Sequence, residues 1–256
     1  MRRWFTNLLM NRLSLSLIIK MRINKYLALN KYSTRRGADD LISAGKVTIN
    51  GRKAVLGDQV SETDRVEVDQ KAMVARAQSY VYYAYNKPIG FMTNPAARSL
   101  AARKKSIADI TALPNGVFPV GRLDEASHGL LILTNDGRVT DRLLSPVYEH
   151  EREYIVKVNK PISENFITRI TKGVKIEDGI TKPAKLSAEP FSKTFRIILT
   201  EGKKHQIRRM VTALGYEVTD LQRIRITNIK IAGLKTGEHR QLVGSELKLF
   251  LKALTL

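Results

Sequence analysis

From Met21 onward, apolar and polar positions alternate with periods that change along the chain. Ile23, Tyr26, Leu27 and Asn30 recur at helical spacing, the first three with apolar side chains. Ser33-Thr34 then offers an N-cap to a second helix, which carries Ala38, Leu41 and Ile42 on its inner face and is stopped by Gly45. The period falls to two at Val47-Thr48-Ile49, Asn50-Gly51 reads as a hairpin turn, and Val66-Glu67-Val68 as a further short strand. The pattern predicts a compact helix–helix–hairpin module over residues 21–69, and residues 70–79 break it and read as a linker. Strand signals return at 80–85, followed by a turn at Lys87-Pro88-Ile89-Gly90. Further strands are predicted at 130–134, 153–158, 194–200 and 226–231, with helices near 137–144, 163–172, 204–214 and 245–253. Residues 80–256 therefore predict one α+β domain with a mixed, largely antiparallel sheet.

The stretch before this pattern is different. Residues 1–20 carry Arg2, Arg3, Arg12 and Lys20, no acid, and the run Leu13-Ser14-Leu15-Ser16-Leu17-Ile18-Ile19. Asn11, Ser14 and Ser16 interrupt the apolar stretch and no small-residue cleavage site follows, so the expectation is an upstream extension or a mis-set start codon, with a targeting peptide as the alternative.

Composition narrows the function classes. The chain has 256 residues, 43% of them hydrophobic, enough for a real core. Its 44 Lys and Arg against 24 Asp and Glu leave a formal charge of +20, which points to a polyanion. Nucleic acid is the default partner and an anionic membrane surface the competitor. No cysteine is present, which excludes disulfides, thiolate nucleophiles and Cys-based zinc sites. His128, His150, His205 and His239 lack metal-ligand spacing, so no metal is expected, and no segment is long and apolar enough to span a bilayer. Within the small module the charge is polarised. Residues 22–53 hold Arg22, Lys25, Lys31, Arg35, Arg36, Lys46, Arg52 and Lys53 against Asp39 and Asp40 only, a net +6. Its other acids come later, at Asp58, Glu62, Asp64, Glu67 and Asp69. Such separation makes a basic face suited to a phosphate backbone, and an ordinary solvated surface is the plain alternative.

Three pieces of the larger domain could carry chemistry. Gly121-Arg122-Leu123-Asp124 sits between Val117-Phe118-Pro119-Val120 and the run Gly129-Leu130-Leu131-Ile132-Leu133-Thr134-Asn135-Asp136-Gly137. It sets one carboxylate in a Gly-bounded loop entering a strand, where it can act as nucleophile or base; a loop Asp that caps a turn has the same local pattern. In Arg152-Glu153-Tyr154-Ile155-Val156-Lys157-Val158, alternation puts Tyr154 on one face with Val156 and Val158. Tyr154 could stack on a base or move a proton, or be a core tyrosine with a satisfied hydroxyl. In Glu201-Gly202-Lys203-Lys204-His205-Gln206-Ile207-Arg208-Arg209-Met210, a helix buries Ile207, Met210, Val211 and Leu214 while Arg208 and Arg209 lie off that stripe. Cations crowd its first turns, where the helix dipole disfavours them. This hints at an anionic neighbour, a phosphate or the carboxylate of Asp124, with a solvated basic face as the alternative.

Taken together, Gly121-Arg122-Leu123-Asp124, Gly129 to Gly137, Glu151-Arg152-Glu153-Tyr154 and Gln206-Ile207-Arg208-Arg209-Met210 resemble the pseudouridine synthases of the RsuA/RluB/RluE/RluF family. Ile23-Asn24-Lys25-Tyr26-Leu27, Ser33-Thr34-Arg35-Arg36 and Ile49-Asn50-Gly51-Arg52 look like the S4 RNA-binding domain that precedes the catalytic domain in that family. The resemblance runs from about Met21 to Phe250. Gly57-Asp58-Gln59-Val60, His150 to Tyr154 and Gly215-Tyr216-Glu217-Val218 are most similar to the RluF branch, which modifies 23S rRNA. Two stretches depart from the family pattern, Glu125-Ala126-Ser127-His128 and Lys204-His205.

The resemblance implies isomerisation of uridine to pseudouridine in rRNA without metal, nucleotide or redox cofactor. Asp124 is implied as nucleophile or base, Tyr154 as packing on the uracil, and Arg208 as pairing with Asp124. RNA contacts are expected at Arg22, Lys25, Arg35, Arg36, Lys46, Arg52 and Lys53 in the S4-like module, and at Arg122, Lys203, Lys204 and Arg209 in the catalytic domain. The implied setting is a cytoplasmic monomer acting on the peptidyl-transferase region of 23S rRNA, free or in an assembling large subunit. The same chemistry on 16S rRNA and a non-catalytic S4-type assembly factor are the alternatives.

Overall fold

The computed structural model describes residues 20–30, 32–69, 79–93, 105–107, 110, 113, 114, 116–189 and 191–256. Residues 1–19 of the expected extension and 70–78 of the expected linker lie outside them. The chain divides into two compact units, Met1–Ala77 and Gln78–Leu256.

The first unit runs β1 (Met21–Arg22), α1 (Ile23–Leu29), α2 (Arg35–Ser43), β2 (Val47–Ile49), β3 (Arg52–Lys53), β4 (Gln59–Val60) and β5 (Val66–Val68). Thr34 caps α2, its Oγ1 accepting from the Gly37 amide at 3.1 Å. Asn50 and Gly51 both take positive φ, 51° and 81°, as a two-residue hairpin that follows the strand twist requires. They bring Ile49 opposite Arg52. Ile23, Leu27, Ala38, Ile42, Val47 and Ile49 close the core. Asp64 ties the β4–β5 turn to the hairpin tip. It accepts from the Ser61 amide and hydroxyl, both at 2.7 Å, and from Asn50 Nδ2 at 2.8 Å. These donors pull its carboxyl down to about 2.

The second unit is built on a nine-stranded sheet. Its elements are β6 (Tyr82–Lys87), β7 (Phe118–Val120), β8 (His128–Thr134), α3 (Gly137–Leu144), β9 (Arg152–Val158), α4 (Glu164–Lys172), β10 (Lys175–Ile176), β11 (Gly179–Ile180), β12 (Lys185–Ser187), β13 (Thr194–Leu199), α5 (Gln206–Ala213), β14 (Val218–Ile226), β15 (Ile229–Lys230), β16 (His239–Gln241) and α6 (Gly244–Ala253). The strand order is β12-β13-β9-β14-β8-β6-β16, with β15 on β14 and β7 on β8. Only β14 and β8 pair in parallel; the remaining ladders of this sheet are antiparallel. One core packs α4 and α5 against β9, β13 and β14 through Phe166, Ile170, Ile207, Met210, Val156 and Phe195. A second packs α3 and α6 against β6 and β8 through Val139, Leu143, Phe250, Leu130 and Ile132.

The strand expected at 226–231 is misplaced. The long central strand is Val218–Ile226, and only Ile229–Lys230 follows it after a turn. Its ladder with β9 shifts register between Val218 and Asp220 and again between Arg223 and Arg225. Its buried positions are therefore Val218, Leu221, Arg223 and Ile226, a spacing that is neither two nor 3.6.

Two features mark the centre of the sheet. At Gly129, in the parallel pair, a Cβ would lie 2.3 Å from the Arg223 carbonyl oxygen, and the backbone there has φ +103°. At the end of β6, Lys87 is fully buried. Its Nζ donates to the Ser127 carbonyl at 2.7 Å and the Pro88 carbonyl at 2.9 Å. Burial brings its pKa down to about 8, against the opposing pull of the Asp124 and Glu125 carboxylates.

Gly129→Ala forces β8 off β14 or strains a left-handed residue, and a loss of about 2 kcal/mol or more in urea unfolding is expected. Lys87 gives a pH signature. Its folded pKa of about 8 lies below the ordinary 10.5, so between those values the folded chain binds fewer protons than the unfolded one. Its burial thus costs stability below about pH 8, and the cost is relieved as pH rises. Wild type should gain on the order of 2 kcal/mol relative to Lys87→Met between about pH 7.5 and 9.5. Parallel unfolding curves for the two proteins across that window would refute this.

Candidate active site

The loop from Gly121 to His128 is pinned from several sides. Gly121 turns it with φ 77°. Thr93 then clamps the motif, its Oγ1 donating to the Leu123 carbonyl at 2.7 Å and accepting from the Leu123 amide at 3.2 Å. Leu123 is buried beside it. The Ser127 amide closes a turn onto the Asp124 carbonyl at 3.0 Å, and the Gly90 amide donates to the Glu125 carbonyl at 2.8 Å. Lys87 takes the Ser127 carbonyl from below, and His128 Nε2 lies 3.0 Å from Asp220 Oδ1 on β14.

Held this way, Asp124 keeps its carboxylate partly open, 37% exposed. It lines an open pocket of about 220 Å³ with Thr93, Arg122, Glu125, Lys204 and His205 among the neighbours. Among the described residues the basic side chain within 4.0 Å of the carboxylate is His205, whose Nε2 stands 3.4 Å from Oδ1. Such a site can present a carboxylate to a substrate carbon or proton with cations on its rim.

Arg208 does something other than the expected pairing with Asp124. No ion pair joins the two among the described residues. The guanidinium staples the loop instead, Nη2 donating to the Ala126 carbonyl at 3.0 Å and reaching Ser127 Oγ at 3.5 Å, while Nη1 donates to the Val218 carbonyl at 3.2 Å. Carbonyl oxygens of a tight turn outcompete the more distant carboxylate for a planar fork.

Tyr154 lies on β9 and packs against the α4–α5 core with Val156 and Val158. Across the sheet it is the partner of Arg223, which is the partner of Gly129, which is the partner of Lys87. One rung therefore carries Tyr154, Arg223, Gly129 and Lys87, and the Asp124 loop leaves the sheet one residue before Gly129. Strand spacing puts Tyr154 and Gly129 about 10 Å apart along that rung. Arg223 is buried, its Nε donating to the Leu130 carbonyl at 2.7 Å, and its Nη2 has no hydrogen-bond partner among the described residues. Arg152, two residues before Tyr154, donates to the Leu143 carbonyl at 2.8 Å. Burial lowers its pKa; Tyr154 opposes that shift and the charge of Arg223 adds to it.

The other basic residues divide. Arg122 and Lys204 are exposed on the pocket rim. Lys203 is folded back towards the Ile180 carbonyl, 3.3 Å away. Arg209, expected at an RNA surface, is bound to Asp178 at 2.5 Å with Glu177 at 4.0 Å, because the β10–β11 turn brings those acids over α5. In the first unit, Arg22, Arg35 and Lys53 are exposed and Lys25 is partly buried. Lys46 is paired with Asp69 at 3.1 Å and Arg52 with Asp58 at 3.0 Å. The Arg36 side chain lies outside the described residues. No group of three His, Cys, Asp or Glu that could hold a metal occurs among the described residues, and no helix among them is long and apolar enough to cross a membrane. Sequence reasoning missed Lys87, Arg223 and His205 as parts of this site. A lysine ending an aromatic strand, and an arginine at a core position of β14, were the available signals.

Comparison with known proteins supplies the family. The RNA pseudouridylate synthase family matches residues 81–213 and the S4 domain matches residues 21–66. The dual-specificity RNA pseudouridine synthase RluF of Escherichia coli (strain K12) is 41% identical over 229 residues, 89% of this chain and 77% of that protein. The ribosomal large subunit pseudouridine synthase B of Bacillus subtilis (strain 168) is 35% identical over 233 residues, 89% of this chain and 94% of that protein. A crystal structure of a pseudouridylate synthase superposes with a TM-score of 0.64 at 30% identity, covering 89% of this chain and 98% of that one. The chain belongs to the RsuA/RluB/RluE/RluF family and is an rRNA pseudouridine synthase with an S4 domain.

Proposed function

We propose that the protein isomerises a uridine of 23S rRNA in the peptidyl-transferase region, acting in the cytoplasm as a monomer and using Asp124 as the reacting group. The observation that carries this reading is the Asp124 carboxylate, left open to a pocket by a loop that Thr93, Lys87 and Arg208 hold in place. In the reaction the C1′–N1 bond breaks, the base turns while held, C1′–C5 forms, the C5 proton leaves and N1 gains one. Asp124 serves as nucleophile towards the sugar or as the base that takes a sugar proton; both roles need an ionised, aimed carboxylate. Tyr154 packs on the uracil, with its phenol oxygen available to move a proton. Arg208 acts through the Ala126 and Ser127 contacts, fixing the loop that carries Asp124. The target base has to be unstacked before it can enter the pocket, and the cations of the pocket rim and the S4 domain draw in the RNA backbone.

The large-subunit target is supported by the name of the Bacillus subtilis relative and by the RluF-like stretches at 57–60, 150–154 and 215–218. The Escherichia coli relative is named for dual specificity, so the mapping experiment takes all cellular RNA rather than rRNA alone. Pseudouridines are located by carbodiimide-dependent reverse-transcription stops in cells with and without the gene, and in transcripts treated with purified protein. A stop in 23S rRNA that depends on the protein, stronger on free or partly assembled RNA than on mature ribosomes, is expected. A protein-dependent stop in 16S rRNA with none in 23S would overturn the target and leave the chemistry standing.

Asp124→Asn should lower tritium release from C5-labelled uridine in the transcript by at least about a thousandfold with RNA affinity retained. Near wild-type release would sink the role given to Asp124. Arg208→Ala should cut the rate at saturating RNA by about tenfold to a hundredfold while affinity changes little, because the loop loses its staple. Equal losses in rate and affinity would make Arg208 a phosphate contact.

A further inference from the structure

His205 occupies a position that local structure does not explain. It stands before α5 as the N-cap, where Ser, Thr, Asp, Asn or Gly is favoured, yet its side chain makes no capping hydrogen bond. Its backbone is left-handed, φ 52° and ψ 29°, a conformation that glycine adopts freely and that Asn, Asp and His visit more often than other side chains. Gln206 holds the preceding turn, its Oε1 accepting from the Lys203 amide at 2.9 Å, so the turn does not depend on the imidazole. What the imidazole does reach is Asp124, 3.4 Å from Nε2 to Oδ1. That separation exceeds the usual hydrogen-bond range of about 2.7–3.2 Å, so in the free protein it is a close polar contact with room to tighten when substrate arrives.

We propose that His205 is a positioning residue for Asp124: by holding Oδ1 it fixes the plane of the carboxylate and leaves Oδ2 as the oxygen that reacts. This rests on the reading of Asp124 as the reacting carboxylate. Arg208, the other candidate for the role, is committed to the Ala126 and Val218 carbonyls. Lys87 is committed to the Ser127 and Pro88 carbonyls below the loop. Arg122 and Lys204 line the pocket without an ion pair to Asp124 among the described residues, which suits them to RNA phosphates. The ring lines the pocket beside the carboxylate, while α5 gains no capping hydrogen bond from it.

The test uses the full-length protein with a 23S transcript as the probe, and reads single-turnover tritium release, steady-state KM and thermal stability. His205→Gly removes the ring and relieves the positive φ. It should fold at least as stably as wild type, lose about tenfold to a hundredfold in rate at saturating RNA and keep KM within about threefold. His205→Gln, which keeps an N–H donor, should recover most of that loss, whereas His205→Leu, of similar size without a donor, should not. A glycine variant at full rate, a rise in KM with the rate intact, or equal rates for Gln and Leu would each overturn the proposal. Asp124→Asn, run alongside, separates the two claims: activity surviving that change defeats the role of Asp124 itself, whatever the His205 variants do.

Discussion

The contact on which the site depends is the close approach of β8 to β14. A methyl group at position 129 would press on the Arg223 carbonyl, so the strands meet only because that residue is glycine. This is the one parallel ladder in the sheet, and it joins β6, β7, β8 and β16 to β9, β12, β13, β14 and β15. The Asp124 loop hangs from the first side of the seam and Tyr154 lies on the second. Opening the seam by an ångström would separate the two groups that the proposed reaction brings together, even with each half of the sheet intact.

Around that seam the interior is positive. Lys87 and Arg223 are buried and Arg152 is partly buried, and among the described residues their hydrogen bonds go to main-chain carbonyls of Ser127, Pro88, Leu130 and Leu143. Carbonyl dipoles satisfy the donors without cancelling the charge. A chain selected for stability alone would have buried apolar groups in these places. What the arrangement supplies is a fixed field beneath a carboxylate and beneath whatever negative charge the RNA brings, already oriented before the substrate arrives.

How much of this is legible in the sequence differs by element. The helices at 137–144 and 163–172 and the strand around Val156 follow a regular period, and the strand around Ile132 is a continuous apolar run, both of which sequence inspection detects. β14 escapes because two register shifts break its alternation and because a buried arginine stands where an aliphatic residue would announce a core strand. The Gly-bounded loop of Asp124 is readable, since glycine and aspartate mark turns by their own chemistry. The partner of Arg208 is not, because that depends on which oxygen lies within reach of a fork 82 residues away in the chain. Likewise the acids that occupy Arg209 come from a turn that sequence spacing leaves unassigned.

The parallel seam also bears on how the enzyme comes into being. Arg223 and Leu130, joined across it, are 93 residues apart, and every segment between them has to be made and set aside before they meet. The helices and the β6–β8 pair can form from nearer neighbours, whereas the seam closes only after the long loop entropy has been overcome. Until the seam closes, the Asp124 loop on the β8 side and Tyr154 on β9 are not carried by one sheet, so the pocket is a product of long-range pairing rather than of any local element.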